Sequence, residues 1–262
     1  MTDLEHLHQI LIGIISDIDG LCKDNNIKYY LLGGSAIGAI RHHGFIPWDD
    51  DLDIVMDNSN YQRFIAVAKE KLNKDKYYLQ IGLKDWPLYF TKVRLKGTVF
   101  NEGENPGESQ GIFVDVFKMD NVSSNTLVAM WQYFWAKAFL SYQLSQRKVS
   151  GNISPIKRIL RALSFPMRNK HLRDYARRQV EFLNNSDSDY LGLFYGRTRW
   201  RNAIVKKEWF GDPVYVPFEG ISLPVPERYD QYLTKMFGDY MTPPPVNKRV
   251  STHYVMIDFG KY

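Results

Sequence analysis

Four aspartates fall within five residues, at positions 49, 50, 51 and 53, and the chain then runs directly into the apolar stretch Ile54-Val55-Met56. A stretch of that kind belongs in a core, and it draws the carboxylates at its start to the edge of that core. The pattern predicts a strand over Leu52 to Met56, where side chains alternate between two faces. Asp49, Asp51 and Asp53 are then expected on one face, with Leu52 and Ile54 pointing into the core. Carboxylates gathered this closely repel one another unless a cation lies between them. An all-oxygen set of this type suits magnesium or manganese, as at phosphoryl-transfer sites. The competing reading is a solvated acidic turn, and it is weakened by what lies upstream.

Ile27 to Leu32 is β-rich and leads into Gly33-Gly34-Ser35, followed by a short helical stretch from Ala36 to His42 that Gly44 is expected to break. Glycines let the backbone approach an anion, a following helix aims free N–H groups at it, and the Ser35 hydroxyl adds a donor. Gly-Gly-Ser alone is usually just a turn. A strand, Gly-Gly-Ser, a helix and then Asp-Leu-Asp on a neighbouring strand is a far more specific series. A third carboxylate is expected from the strand Gly111 to Phe117, where Asp115 is the lone charge. Burying it without a partner would be costly, although an edge-strand aspartate facing water fits the same pattern. Asp120 reads as a turn residue ending that strand.

Around these motifs the chain predicts an α+β fold, with a mixed β-sheet flanked by helices and an inserted helical lobe. Leu4 to Cys22 has apolar residues at helical spacing, Asn58-Ser59-Asn60 reads as the cap of a further helix, and Tyr77 to Ile81 and Tyr89 to Leu95 read as strands. The polar stretch 101–108 reads as a loop and a candidate lid. From Thr126 to about Leu183 the pattern is helical, with a break near Gly151 to Pro155. Phe218 to Pro226 reads as a hairpin, and Glu227 to Phe237 as a helix ended by Gly238. The divisions that follow are a core over 1–125, a helical lobe over 126–210, and a C-terminal segment over 211–262 that packs back on the core.

The residues Leu32-Gly33-Gly34-Ser35-Ala36-Ile37-Gly38-Ala39-Ile40-Arg41-His42-His43-Gly44-Phe45-Ile46-Pro47-Trp48-Asp49-Asp50-Asp51-Leu52-Asp53-Ile54 closely resemble the LicD family. That family contains bacterial phosphocholine transferases and is related to the fukutin-type transferases within the nucleotidyltransferase superfamily. Its usual Gly-Thr stands here as Gly34-Ser35. The resemblance resumes at Lys92-Val93-Arg94, at Gly111 to Phe117, and at Phe218 to Pro245 followed by Lys248, Arg249 and His253. It covers residues 5 to 120 and 215 to 255.

The resemblance implies a nucleotidyltransferase-like core. The implied reaction moves a substituted phosphate, typically phosphocholine from CDP-choline with release of CMP, to a hydroxyl of a surface glycan or its lipid-linked precursor: lipopolysaccharide, teichoic acid or capsule. Asp51, Asp53 and Asp115 would hold magnesium or manganese and form the catalytic centre. Asp115 is a candidate acceptor of the hydroxyl's proton, and Asp49 a further ligand or supporting group. Gly33, Gly34 and Ser35 would cradle phosphate, and Lys248, Arg249 and His253 would close over the site. Arg41 pairs with a phosphate or satisfies helix carbonyls, two readings that stand nearly even. His42 is expected to orient a carboxylate. Lys92 and Arg94 share a strand face, toward donor phosphates or toward solvent. Trp48 serves as a stacking surface or as a core residue. The alternative donor is an NTP, used by a template-free nucleotidyltransferase with the same carboxylates.

The net charge of +5 favours anionic partners without choosing among them. The single cysteine, Cys22, excludes a disulfide within the chain and reads as a packed core thiol. The start of the chain lacks the pattern of a signal peptide and no apolar run reaches bilayer length, so a cytoplasmic location is expected. Leu127 to Leu144 is rich in aromatics and is followed by Arg147, Lys148, Lys157, Arg158, Arg161, Arg168, Lys170, Arg173, Arg177 and Arg178. A helical bundle with a basic outer face explains this. So does peripheral contact with the inner face of a membrane. No nucleic-acid-binding motif accompanies the charge.

Overall fold

The computed structural model of the chain describes residues 1–85, 88–101, 111–146, 164–194, 196, 198–249 and 256–262. The loop over 102–108, the break near Gly151 to Pro155, His253 and the basic residues Arg147, Lys148, Lys157, Arg158 and Arg161 lie outside the described residues.

Helix α1 spans Asp3–Asp24. Thr2 accepts from the Glu5 N–H at 3.2 Å and the Glu5 carboxylate accepts from the Thr2 N–H at 2.7 Å, a reciprocal cap that satisfies two orphan donors. Its buried stripe, Leu7, Leu11, Ile14, Ile15, Ile18 and Cys22, enters the main core. The sheet is built from β1 (Tyr30–Leu31), β2 (Asp53–Asp57), β3 (Tyr77–Gln80), β4 (Thr91–Leu95) and β6 (Phe113–Val122), in the order β1-β2-β6-β4-β3. Among the described residues only β2 and β6 pair in parallel; the other pairs are antiparallel, so the sheet is mixed as expected. Helix α3 (Asn58–Lys71) packs on β2 and β6, and α1 packs on β6 and α3. Helix α2 (Gly33–His42) packs against β1, β2 and the hairpin of β9 (Val214–Phe218) and β10 (Ile221–Val225). Beyond the hairpin, α6 (Tyr229–Phe237) ends at Gly238, with φ +73°, and also rests on α2. The short strand β5 (Val99–Asn101) pairs with β11 (Met256–Asp258).

Helices α4 (Thr126–Gln146) and α5 (Lys170–Glu181) pack on each other. The segment 126–210 is not helical throughout. Strand β7 (Tyr190–Gly192) pairs with the end of β6, and β8 (Ile204–Lys206) with β7, extending the sheet under the lobe.

Several local expectations are corrected. Gly33-Gly34-Ser35 is the first turn of α2 rather than a turn before it. That helix is ended by His43, which takes φ +55°, and not by Gly44. A Cβ on Gly44 would collide with the Glu219 side chain, which explains the glycine by close approach. The cap of α3 is Asp57, whose carboxylate accepts from the Asn60 N–H at 2.8 Å. Asp120 does not end its strand: it lies inside β6, fully buried, 2.7 Å from the Lys118 ammonium.

Candidate active site

The parallel pairing of β2 with β6 sets Asp53 directly beside Asp115, and the antiparallel pairing of β4 with β6 sets Lys92 beside Asp115 on the other side. Lateral neighbours in a sheet share a face. Three adjacent strands thus present Asp53, Asp115 and Lys92 as one row. The Lys92 ammonium lies 3.1 Å from Asp115 and 3.2 Å from the centre of the Phe113 ring, with the side chain 1% exposed.

Strand β2 begins at Asp53, so alternation does not govern the residues before it. Ile46 to Asp49 form a turn, closed by the Asp49 N–H donating to the Ile46 carbonyl at 2.8 Å, and the acidic residues that follow have no regular structure before β2. Carboxylate oxygens of Asp49, Asp50 and Asp51 lie within 4.8 Å of one another. Asp50, which alternation would have sent to the opposite face, therefore joins the cluster, and it is buried.

Desolvation raises the proton affinity of Asp53 well above the ordinary carboxylate value, and the Asp51 and Asp115 charges raise it further; Lys92 opposes them. One ammonium does not offset three carboxylates. The donor set is hard, anionic and all oxygen, which fits a divalent cation such as magnesium.

Elements far apart in sequence hold this turn. The Asp49 carboxylate packs on Gly34, where a Cβ would stand 2.7 Å from its Oδ2. His8 of α1 donates Nε2–H to the Asp49 carbonyl at 2.7 Å and stacks on Phe45 at 3.9 Å. Burial holds the His8 imidazole below its ordinary proton affinity, and the Asp49 carbonyl, Glu219 and Asp50 offset part of that. Glu219, at the tip of the β9–β10 hairpin, accepts from the Phe45 N–H at 3.2 Å, and its own N–H donates to the His43 carbonyl at 2.9 Å.

The first turn of α2 faces the carboxylates. No side chain caps it and it carries no acid. The Ser35 hydroxyl accepts from the Asp53 N–H at 2.9 Å, which fixes the helix start to the start of β2. Gly33, with φ +55°, donates weakly to the Tyr232 hydroxyl at 3.4 Å. Burial raises the Tyr232 phenol above its ordinary pKa, and Asp53 adds to the effect.

The remaining candidates separate. Arg41 donates to the Tyr240 carbonyl at 2.6 Å and to His42 Nε2 at 2.9 Å, so in this structure it satisfies a carbonyl, though not one of its own helix. His42 meets Trp48 edge-on and, among the described residues, bonds to no carboxylate; burial, then Arg41 and Arg249, lower its proton affinity. Arg249 donates to the Pro244 carbonyl at 2.8 Å and stands 5.2 Å over the Trp48 ring. Trp48 is half-buried between them rather than in the core. Arg94 is not at the surface: it is buried, donating to Gln80 Oε1 at 2.6 Å and to the Gly111 carbonyl at 3.0 Å, a strand-bracing role. Lys92 likewise faces Asp115 rather than solvent. Lys248 is exposed on the turn Val246–Lys248.

A carboxylate row on paired parallel strands, an adjoining acidic turn and an uncapped glycine-rich helix start define a candidate phosphotransfer site. Residues 26–153 match the family described as LicD/FKTN/FKRP, nucleotidyltransferase domain. The chain is 30% identical over 255 residues, 93% of each protein, to the lipopolysaccharide cholinephosphotransferase LicD of Haemophilus influenzae. It is also 36% identical over 78 residues, 28% of this chain and 25% of the other, to the uncharacterized protein RT0683 of Rickettsia typhi. The chain belongs to the LicD family.

Proposed function

We propose that this protein transfers a substituted phosphate, phosphocholine from CDP-choline, to a hydroxyl of a cell-surface glycan or its lipid-linked precursor on a nucleotidyltransferase-like core. The observation that carries the reading is the side-by-side placement of Asp53 and Asp115 on parallel strands, next to the acidic turn and the start of α2. The named activity of the Haemophilus influenzae relative, which spans 93% of both chains, supports the phosphocholine and lipopolysaccharide part. Asp51, Asp53 and Asp115 would hold magnesium, with Asp49 and Asp50 beside them. When bound, the ion would neutralise charge on the donor diphosphate and on the leaving nucleotide.

The chain's own groups do the rest. The N–H groups of Gly33 and Gly34 and the Ser35 hydroxyl supply donors for a phosphate at the helix start. The acceptor oxygen bonds to the phosphorus of the choline phosphate, the bond from that phosphorus to the CMP oxygen breaks, and the hydroxyl proton passes to a carboxylate of the cluster. Lys92, 3.1 Å from Asp115, sets a positive charge beside the carboxylates. Arg41 and Arg249, close enough for their charges to act on each other, would meet further negative charge on the donor.

The test is release of CMP and labelling of a lipopolysaccharide acceptor by the purified chain, with CDP-choline and magnesium. Asp53→Asn is expected to lower the rate by at least about a hundredfold with the circular dichroism unchanged. Full activity in both Asp51→Asn and Asp53→Asn rejects the site. Pyrophosphate release from an NTP, without CMP release from CDP-choline, rejects the donor.

A further inference from the structure

The first half of helix α4 buries small and polar residues: Ala129, Gln132 and Ala136 pack against β6 and α5, while Phe139 further along enters a small cluster with Tyr89 and Met167. Gln132 is spent on the backbone, donating to the Asn121 and Val180 carbonyls and accepting from the Ser123 N–H. Its outward face is large and apolar. Leu127, Met130, Trp131 and Phe134 recur at helical spacing and are 76%, 51%, 45% and 57% exposed. Among the described residues nothing covers these four bulky side chains, whereas Phe139 on the same helix is buried.

Helix α5 continues the surface. Trp131 donates its indole N–H to Gln179 at 2.9 Å, and Tyr175 meets Trp135 edge-on, so the exposed edge of α5 adjoins the apolar stripe. Along that edge lie His171, Tyr175, Arg178 and Phe182, all exposed; Lys170 and Arg177 are exposed on the next row of the helix, where Arg177 stands 3.9 Å from Glu181, and Arg168 is exposed just before the helix begins. The two acids of α5 are Asp174 and Glu181, and Glu181 is turned inward onto Lys118 at 2.7 Å. The outward face thus combines an apolar aromatic stripe with an excess of positive charge.

We propose that the α4–α5 face docks on an anionic lipid bilayer. No helix of the described residues is long and apolar enough to cross a membrane, so the helices would lie in the interface plane. Aromatic and aliphatic side chains of α4 enter the boundary between head groups and acyl chains, where tryptophan and tyrosine are favoured. Arg178, Lys170 and Arg168 meet lipid phosphates, each worth about fivefold in affinity. This inference does not depend on the donor or the metal.

The experiment is cosedimentation of the full chain with vesicles of equal parts phosphatidylcholine and phosphatidylglycerol, against vesicles of phosphatidylcholine alone. Binding is expected to the anionic vesicles, falling as salt rises. Leu127→Ser/Phe134→Ser, at the two most exposed positions of the stripe, is expected to weaken it roughly tenfold or more. Lys170→Gln/Arg178→Gln is expected to remove most of the anionic preference while unfolding as the parent does. Absence of wild-type binding to anionic vesicles overturns the proposal, as does equal binding by both double variants. Self-association abolished by Leu127→Ser/Phe134→Ser, with vesicle binding intact, would also overturn it and assign the face to a second copy. Asp53→Asn is expected to bind vesicles as wild type does, which separates this result from the fate of the transferase reading.

Discussion

A charge that is costly to remove lies away from the candidate active site, further along β6. The Lys118 side chain is 2% exposed and its ammonium stands 2.7 Å from Asp120, 2.7 Å from Glu181 and 2.9 Å from the Tyr89 hydroxyl. Tyr89 in turn donates to Glu181, and Asn184 donates to Asp120 at 2.7 Å. Burial alone would lower the Lys118 proton affinity, but Asp120 and Glu181 overcome that and raise it. Its raised value means the contribution is complete at neutral pH and is lost only as pH rises through the lysine range. Lys118→Met leaves Asp120 fully buried, with the Asn184 amide still donating to it, and it faces a second carboxylate, Glu181. Glu181, with 28% of its side chain exposed, can turn toward water, which limits the damage to about 3–5 kcal/mol. At about 2–4 °C per kcal/mol for a chain of this size, Tm is expected to fall by roughly 10 °C, and the urea midpoint with it. Adding Asp120→Asn removes the stranded charge and should restore the protein to within about 2 kcal/mol of wild type. Asp115, anchored by β2 and β4 at the start of β6, should keep its place, so activity per folded molecule should stay near normal below the new midpoint. A single variant costing under about 1 kcal/mol, or a double variant less stable than the single, would refute the reasoning.

Three further outcomes follow from the site itself. Gly34→Ala places a Cβ 2.7 Å from Asp49 Oδ2, and because that atom ends a side chain, the fold should tolerate the change while the acidic turn shifts. Activity is expected to fall about tenfold or more with Tm nearly unchanged, read by the CMP-release assay and a thermal scan. Lys92→Met removes the cation 3.1 Å from Asp115 and should cost about 3–5 kcal/mol without metal; magnesium should then raise Tm more in the variant than in wild type. His8 is held below its ordinary value of 6.5, so the unfolded chain binds that proton first and stability is lost as pH falls below 6.5. In urea titrations across that range His8→Gln should remove this slope.

The sequence carried the carboxylates because short-range rules reach them. Asp53 and Asp115 each interrupt an apolar β-rich stretch, and two such stretches rarely sit apart in one small sheet. Alternation failed at Asp49 to Asp51 because it presumes a strand that starts only at Asp53. That failure hid Asp50. Asp120 was misread for a related reason: its charge looked like a strand end, while Lys118, two residues earlier on the same face, made burial affordable. His8, Glu219 and Tyr232 left no local signal. Each acts across more than forty residues of sequence, on a backbone carbonyl, a backbone N–H or a helix start, and nothing in their own neighbourhoods marks that use. Lys92 and Arg94 were legible as a pair on one strand face, but not as buried, since the partners Asp115 and Gln80 come from other strands.

The long-range contacts also decide what unit can carry the site. The family match ends at residue 153 and starts at 26, so it excludes α1, the hairpin and α6. Within α1, Leu7, Leu11, Ile14, Ile15 and Ile18 are each no more than 1% exposed. At about 1.5–3 kcal/mol for each fully buried aliphatic side chain, that helix supplies on the order of 10 kcal/mol. This is comparable with the whole stability of an ordinary domain, about 5–15 kcal/mol. Segment 26–153 alone would therefore lack both the stability to fold and the groups that hold the acidic turn: His8 on one side, Glu219 on the other, Tyr232 at the helix start. A cluster of mutually repelling carboxylates needs such outside constraint, because its own electrostatics push it apart whenever no cation is bound. The matched segment supplies the charged side chains, and the flanking segments supply the rigidity that keeps them together.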